Sequence, residues 1–283
     1  MDSPPGNTIV ARALLVVLLA CAASDGRTQP PVSKAVAPLV APQAPAQPAP
    51  TAPAAPAPTA QTAAAPTAVT LKPFTSRYKV EAFGFVAGMA DITLTVQSDG
   101  HYQYSTAIHP RGLARLVFPS NGTLTTLAEA DGSSVRPLRY REEDGTAATD
   151  DDVALDFDWS QGIVAGTAHD KSVRLSLSAN TQDPMSIQLA VLLDFASTRE
   201  PLRYSMVDKT KIKVYEYKSE GRARLETALG PLDTVIYSSN RPGQANRLTR
   251  VWYAPVLDYT PVRSDDINDG KLRVRMTILS LKR

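Results

Sequence analysis

The sequence predicts an all-β fold: a large antiparallel meander that curls into a closed or half-open barrel-like sheet, with one short buried helix near residues 184–195. Three observations predict it. Apolar and polar residues alternate with period two through four separate stretches. Five X-Gly dipeptides punctuate the chain between residues 99 and 270. A single stretch of helical pattern breaks the alternation.

The alternation is explicit. Ile92, Leu94 and Val96 alternate with Thr93 and Thr95. Val153, Leu155, Phe157 and Trp159 alternate with Ala154, Asp156 and Asp158. Val173, Leu175 and Leu177 alternate with Arg174 and Ser176, and Leu272, Val274, Met276 and Ile278 with Arg273, Arg275 and Thr277. Period two is the signature of a sheet with one dry and one wet face. The turn signals are Asp99-Gly100, Asp131-Gly132, Gln161-Gly162, Glu220-Gly221 and Asp269-Gly270. Their spacing predicts roughly a dozen strands, too many for a flat open sheet. Curling into a barrel or half-barrel protects the edges. The break runs from Asp183 to Phe195. Asp183 suits a helix cap and Pro184 a first helical position, and the apolar residues between are too many for one face, so this helix is expected to be buried.

Composition assigns the rest of the chain. Residues 13–20 read ALLVVLLA behind a lone Arg12. The run is too short to span a bilayer and has the pattern of a secretory signal, placed at residues 1–20. Leu18-Leu19-Ala20-Cys21 resembles the lipobox of bacterial lipoproteins, which makes the chain's single Cys the expected lipid attachment point and the membrane its expected partner. Simple secretion, with cleavage after Ala22 or Ser24, is the alternative. Residues 21–72 are expected to form a Pro/Ala-rich disordered tether, with eleven of the chain's 23 Pro between Pro30 and Pro66. The folded domain is expected over 73–283.

The net charge of +2 excludes a typical nucleic-acid binder, and one Cys with three His leaves no basis for a disulfide framework or a metal cage. The domain itself is neutral but asymmetric. Residues 73–198 carry 9 basic and 16 acidic groups, and residues 199–283 carry 17 and 10. A transmembrane barrel would need aromatic girdles, which the aromatic fraction of 6% does not supply.

Several local motifs occur together. Gly84 and Gly88 flank the first turn, and Gly112-Leu113-Ala114-Arg115-Leu116 follows the third strand. The helix contains Ser186-Ile187-Gln188-Leu189. Then come Glu226-Thr227-Ala228-Leu229-Gly230-Pro231-Leu232-Asp233-Thr234, Arg250-Val251-Trp252-Tyr253-Ala254-Pro255 and Tyr259-Thr260-Pro261-Val262-Arg263. The series, over residues 74–281, resembles the bacterial exported family called domain of unknown function 3108. The Thr-x-Leu-Gly and Trp-x-Ala-Pro segments are its most specific parts. The resemblance implies a periplasmic or lipid-anchored envelope protein with a large barrel-like sheet, and it brings no catalytic residues.

No motif predicts catalysis, a cofactor or a metal. His169-Asp170 pairs a His with a carboxylate, but no Gly-x-Ser-x-Gly elbow accompanies it, and it reads as a loop. His101 and His109 flank turns. Glu142-Glu143-Asp144 with Asp150-Asp151-Asp152 lacks the spacing of a calcium loop and reads as a solvated hairpin tip. Asp156 and Asp158 fit a polar outer face, Asn121-Gly122-Thr123 a turn, and Lys209-Thr210-Lys211-Ile212-Lys213 a wet sheet edge. Aromatics are the better guide to binding. Phe157, Trp159, Trp252 and Tyr253 are the expected lining of a cavity, if the barrel is wide enough to hold one.

The expected function is a non-enzymatic cell-envelope protein that binds an apolar or amphipathic ligand, such as a lipid, or assists envelope components. The alternative is a structural or protein-interaction module with a filled core. A third reading, a hydrolase of cell-wall or glycan substrates, requires Asp156, Asp158, His169 and Glu226 to converge.

Overall fold

The computed structural model describes residues 70–116, 120–244 and 246–283. The expected signal, Cys21 and all but the last residues of the expected tether lie outside the described residues.

The first half of the domain holds β1 (Phe74–Ala82), β2 (Phe85–Val96), β3 (Tyr102–Pro110), β4 (Gly122–Ala130), β5 (Val135–Glu143), β6 (Val153–Asp158), β7 (Ile163–Ala168) and β8 (Lys171–Ser176). The short β9 (Thr181–Gln182) leads into α1 (Ser186–Ala196). The second half holds β10 (Arg203–Asp208), β11 (Lys211–Thr227), β12 (Gly230–Asn240), β13 (Arg247–Ala254), β14 (Thr260–Asn268) and β15 (Lys271–Lys282). These fifteen strands form one sheet, in the order β8-β7-β6-β5-β4-β3-β2-β1-β15-β14-β13-β12-β11-β10-β9. The sheet is barrel-like but not closed, because β8 and β9 remain its edges. The first and last strands pair at its centre, with Tyr78 opposite Ile278. Pairing is antiparallel except between β9 and β10.

The strands follow from the alternation. In β1, Phe74, Ser76, Tyr78, Val80 and Ala82 are buried, and in β3, Tyr102, Tyr104, Thr106 and Ile108. Four of the five expected dipeptides sit at turns between consecutive strands. The Asp131 carboxylate accepts the N–H groups of Ser133 (2.9 Å) and Ser134 (2.8 Å). The Ser133 hydroxyl (2.7 Å) and these N–H groups hold its pKa down to about 2. Glu220-Gly221 is not a turn. β11 runs straight through it, and the register shifts there against β12. Gly221 has φ +97, a left-handed conformation that a bulge accepts from Gly, so the dipeptide marks a bulge.

α1 is apolar nearly all round, with only Gln188, Asp194 and Ala196 escaping full burial. Asp183 caps its first turn, since Oδ1 accepts the N–H groups of Met185 (2.7 Å) and Ser186 (2.8 Å). The helix ties the two halves of the sheet together. On one side the Thr126 hydroxyl donates to Asp183 Oδ2 (2.6 Å), and Gln182 Nε2 donates to the Val135 carbonyl (2.8 Å). On the other, the Tyr204 hydroxyl donates to Asp194, and the Phe195 ring stacks on Tyr259 at 4.6 Å.

Candidate functional site

Inward-facing residues near α1 line a small, partly open apolar cavity of about 60 Å³, walled by residues including Ile92, Ile187, Leu192, Met206, Tyr253 and Met276. A ligand site ordinarily offers about 300 Å³ or more. Of the four aromatics expected to line a cavity, Tyr253 lies on this wall. Phe157 is buried in the core on β6. Trp159 falls just past β6, where its Nε1–H donates to the Pro137 carbonyl (2.7 Å) and Arg136 lies 6.0 Å from the ring. Thr249, Val251 and Tyr253 of β13 share the cavity wall, so Trp252 points to the opposite, outer face. There it pairs with Arg263 across the sheet, whose guanidinium covers the indole at 4.3 Å.

Arg263, which also borders the cavity, belongs to a charged network. Its Nε donates to Asp265 (3.0 Å), and so does Nε of Arg275 (2.8 Å). Burial alone would raise the Asp265 carboxyl, but hydrogen bonds from the two arginines outweigh it and hold its pKa below the usual range.

The interior also contains charge, which the alternation did not reveal. Glu142 sits at an inward position of β5, not at the solvated hairpin tip expected of it, because it shares the parity of buried Tyr140. The Tyr140 hydroxyl donates to it (2.7 Å), and burial pushes its pKa up to about 7. Asp208 ends β10 and is buried, paired with Lys213 (2.7 Å) and with Arg241 at 3.9 Å. Asp266 on β14 is buried beside Arg247 (3.8 Å), and burial raises its pKa. Asp183 is likewise pushed up to about 6 by burial, against the opposing hydrogen bond from Thr126. A carboxylate two residues after an inward Tyr, as in Tyr140-Arg141-Glu142, was the signal available in the sequence.

The groups a hydrolase would need are dispersed. Asp156 is bound by Arg141 (2.9 Å) on the outer face of β6. Asp158 accepts from Ser160 (2.6 Å) and the Gln161 N–H (2.9 Å) and so shapes a turn. His169 stands in the β7–β8 turn with φ +50, its Nδ1 3.6 Å from Asp151. Glu226 lies on β11, in the other half of the sheet order. His101 pairs with Asp99 (2.9 Å) and His109 with Asp91 (3.3 Å). Within the acidic stretch, Asp144 accepts the Thr146 N–H (2.7 Å), and Asp152 accepts the Asp144 N–H (3.2 Å). Among the described residues, no group of three or more His, Cys, Asp or Glu is placed to hold a metal ion.

Among solved structures, the domain is similar to a beta-barrel-like protein of domain of unknown function DUF1849 from Brucella abortus. Identity is 12% and the TM-score 0.53, over 76% of this chain and 99% of that one. This likeness speaks to the fold. Two more distant similarities are MucB in the MucA/MucB complex of Pseudomonas aeruginosa, at 13% identity and a TM-score of 0.35, and a protein of YmcC-like fold from Bacteroides fragilis, at 10% and 0.34. The first covers 74% of this chain but about half, 51%, of the matched chain; the second covers 74% and 95%. No curated protein matches the chain in sequence. Residues 74–277 match the family described as Protein of unknown function (DUF3108), and the chain belongs to that family.

Proposed function

We propose that this chain is a non-enzymatic cell-envelope protein whose domain works through its outer surface, as a structural or interaction module with a filled interior. Residues 1–20 direct export, Cys21 carries the lipid anchor, and residues 21–72 tether the domain of 73–283. The observation that carries the reading is the small size of the cavity described beside α1. The cavity beside α1 measures about 60 Å³, room for a few water molecules rather than an acyl chain. The dispersal of Asp156, Asp158, His169 and Glu226 supports a non-catalytic role. The family's placement, implied by its sequence motifs, supports the envelope.

The competing reading is a carrier for a lipid or similar amphipathic ligand inside the sheet. A fluorescent fatty-acid probe, titrated below its micellar concentration into the full chain carrying Cys21→Ser, separates the two. The filled module gives no saturable signal. Stoichiometric uptake, weakened by Tyr253→Ala, overturns it. The anchor is tested by fractionation, where Cys21→Ser moves the protein from the membrane to the soluble fraction.

A further inference from the structure

Exposed apolar side chains gather on neighbouring segments at one end of the sheet. Leu113 and Leu116 are each 80% exposed on the 3-10 turn Gly112–Leu116, and Phe85 is 74% exposed at the start of β2. Phe83 and Val86 beside it are half-exposed. The segments are joined by backbone, with the Arg111 N–H donating to the Ala87 carbonyl at 2.8 Å. The turn also departs from the residues it favours. Phe83 has φ +51 and Gly84 φ +86 in a two-residue hairpin. That first position normally takes Asn, Asp or Gly, so a bulky aromatic there does not serve the fold.

Next to these residues an open groove of about 610 Å³ is lined by Arg77, His109, Arg111 and Arg115. Arg77 is committed to Asp91 through two hydrogen bonds (2.7 and 2.9 Å), and His109 reaches the same carboxylate. Arg115 donates to the Pro110 carbonyl (3.1 Å). Among the described residues neither Arg111 nor Arg115 forms an ion pair, so one carboxylate faces three guanidinium groups. The acidic β5–β6 loop bounds the groove at Asn121, against whose carbonyl Gly145 packs too closely for a Cβ. This cationic surface lies in the half of the domain that is acidic overall, so the charge count could not disclose it.

We propose that Phe83, Phe85, Val86, Leu113 and Leu116, with Arg111 and Arg115 beside them, dock the domain on an anionic lipid surface. Side chains that stand this far clear of the domain are best covered by a partner that closes around them. A fluid bilayer does so, and its anionic head groups complement Arg111 and Arg115, which form no ion pair among the described residues. The tip lies at the far end of β1 from Phe74, about 30 Å for nine residues. A tether over 21–72, at about 3.1 Å per residue, is long enough to let the tip turn back to the membrane.

This inference rests on the outer-surface reading and is tested apart from it. The full chain carrying Cys21→Ser, made without acylation, is floated with vesicles of phosphatidylcholine alone or mixed with phosphatidylglycerol. Any binding by the leader is common to all variants and cancels. The expected result is binding that favours the phosphatidylglycerol mixture. Phe85→Ser with Leu116→Ser should lower it about tenfold or more, and Arg111→Glu with Arg115→Glu should remove the preference. Unchanged melting temperatures show that the variants fold. Vesicle binding equal to the parent in both double variants, or no binding by the parent, overturns the proposal. An interior ligand would be detected by the fatty-acid probe instead and would leave these variants unaffected.

Discussion

The two ends of the interior are closed by different physics. At one end α1 fills the curve of the sheet with apolar side chains, and its single buried carboxylate, Asp183, is absorbed as a cap. At the other, the inward positions hold Glu142 against the Tyr140 hydroxyl, Asp208 against Lys213 and Arg241, and Asp266 beside Arg247. Apolar packing stabilises the first end, with Asp183 as its one pH-dependent group. The second depends on partners and protonation, because a buried charge is costly unless it is paired or neutralised.

The largest test of this difference is at the helix. Leu189 is fully buried, so Leu189→Ala should cost about 3 kcal/mol in a urea titration, with little dependence on pH. A loss under 1 kcal/mol would mean that the helix packs loosely.

Next comes the pH profile. The folded pKa values of Glu142 (about 7) and Asp183 (about 6) lie above their ordinary values of 4.5 and 3.8. For a raised carboxyl the folded state holds the extra proton. The stability it contributes is therefore full below the ordinary value and is lost as pH rises through the folded one. Stability should fall by a few kcal/mol between about pH 5 and pH 8. Glu142→Gln should flatten the upper part of that decline. Asp131 and Asp265 have depressed values and act oppositely, losing their contribution as pH drops below about 4. A profile that rises from pH 5 to 8 would contradict the assignment of Glu142 to the interior.

Asp208→Asn should cost about 1–3 kcal/mol at neutral pH, since it leaves Lys213 and Arg241 without their carboxylate. Added salt should not reproduce the loss, because the pair is mostly shielded from solvent. The smallest effect is expected outside the interior. Phe83→Asn relieves a left-handed aromatic and should stabilise the fold by about 0.5–1 kcal/mol while weakening vesicle binding.

Much of the fold was legible because periodicity reports which face is dry. Ile92 and Leu94, Val153 to Phe157, and Val274 to Ile278 all fall on strands with the expected side buried. The helix was legible from Asp183-Pro184 and the apolar run behind it. The strand count was not, since β9 has two residues and no pattern can show it. Glu220-Gly221 misled because the same dipeptide serves a turn or a bulge, and only the partner strand decides. The site was less legible than the fold. Trp252 continues an apolar run in sequence yet alternates out of phase with the cavity-lining Thr249, Val251 and Tyr253, and is buried beneath Arg263. The groove beside Arg111 and Arg115 joins residues whose neighbours in sequence carry no common pattern. The cavity's size depends on how α1 seats against both halves, which no local stretch specifies.

The proposed function requires a filled interior and an outer surface that does the work. Native mass spectrometry of the full chain carrying Cys21→Ser, purified gently from cells, tests it most directly. The expected result is the mass of the polypeptide alone. A stoichiometric lipid that is retained, and survives Phe85→Ser with Leu116→Ser, would contradict it.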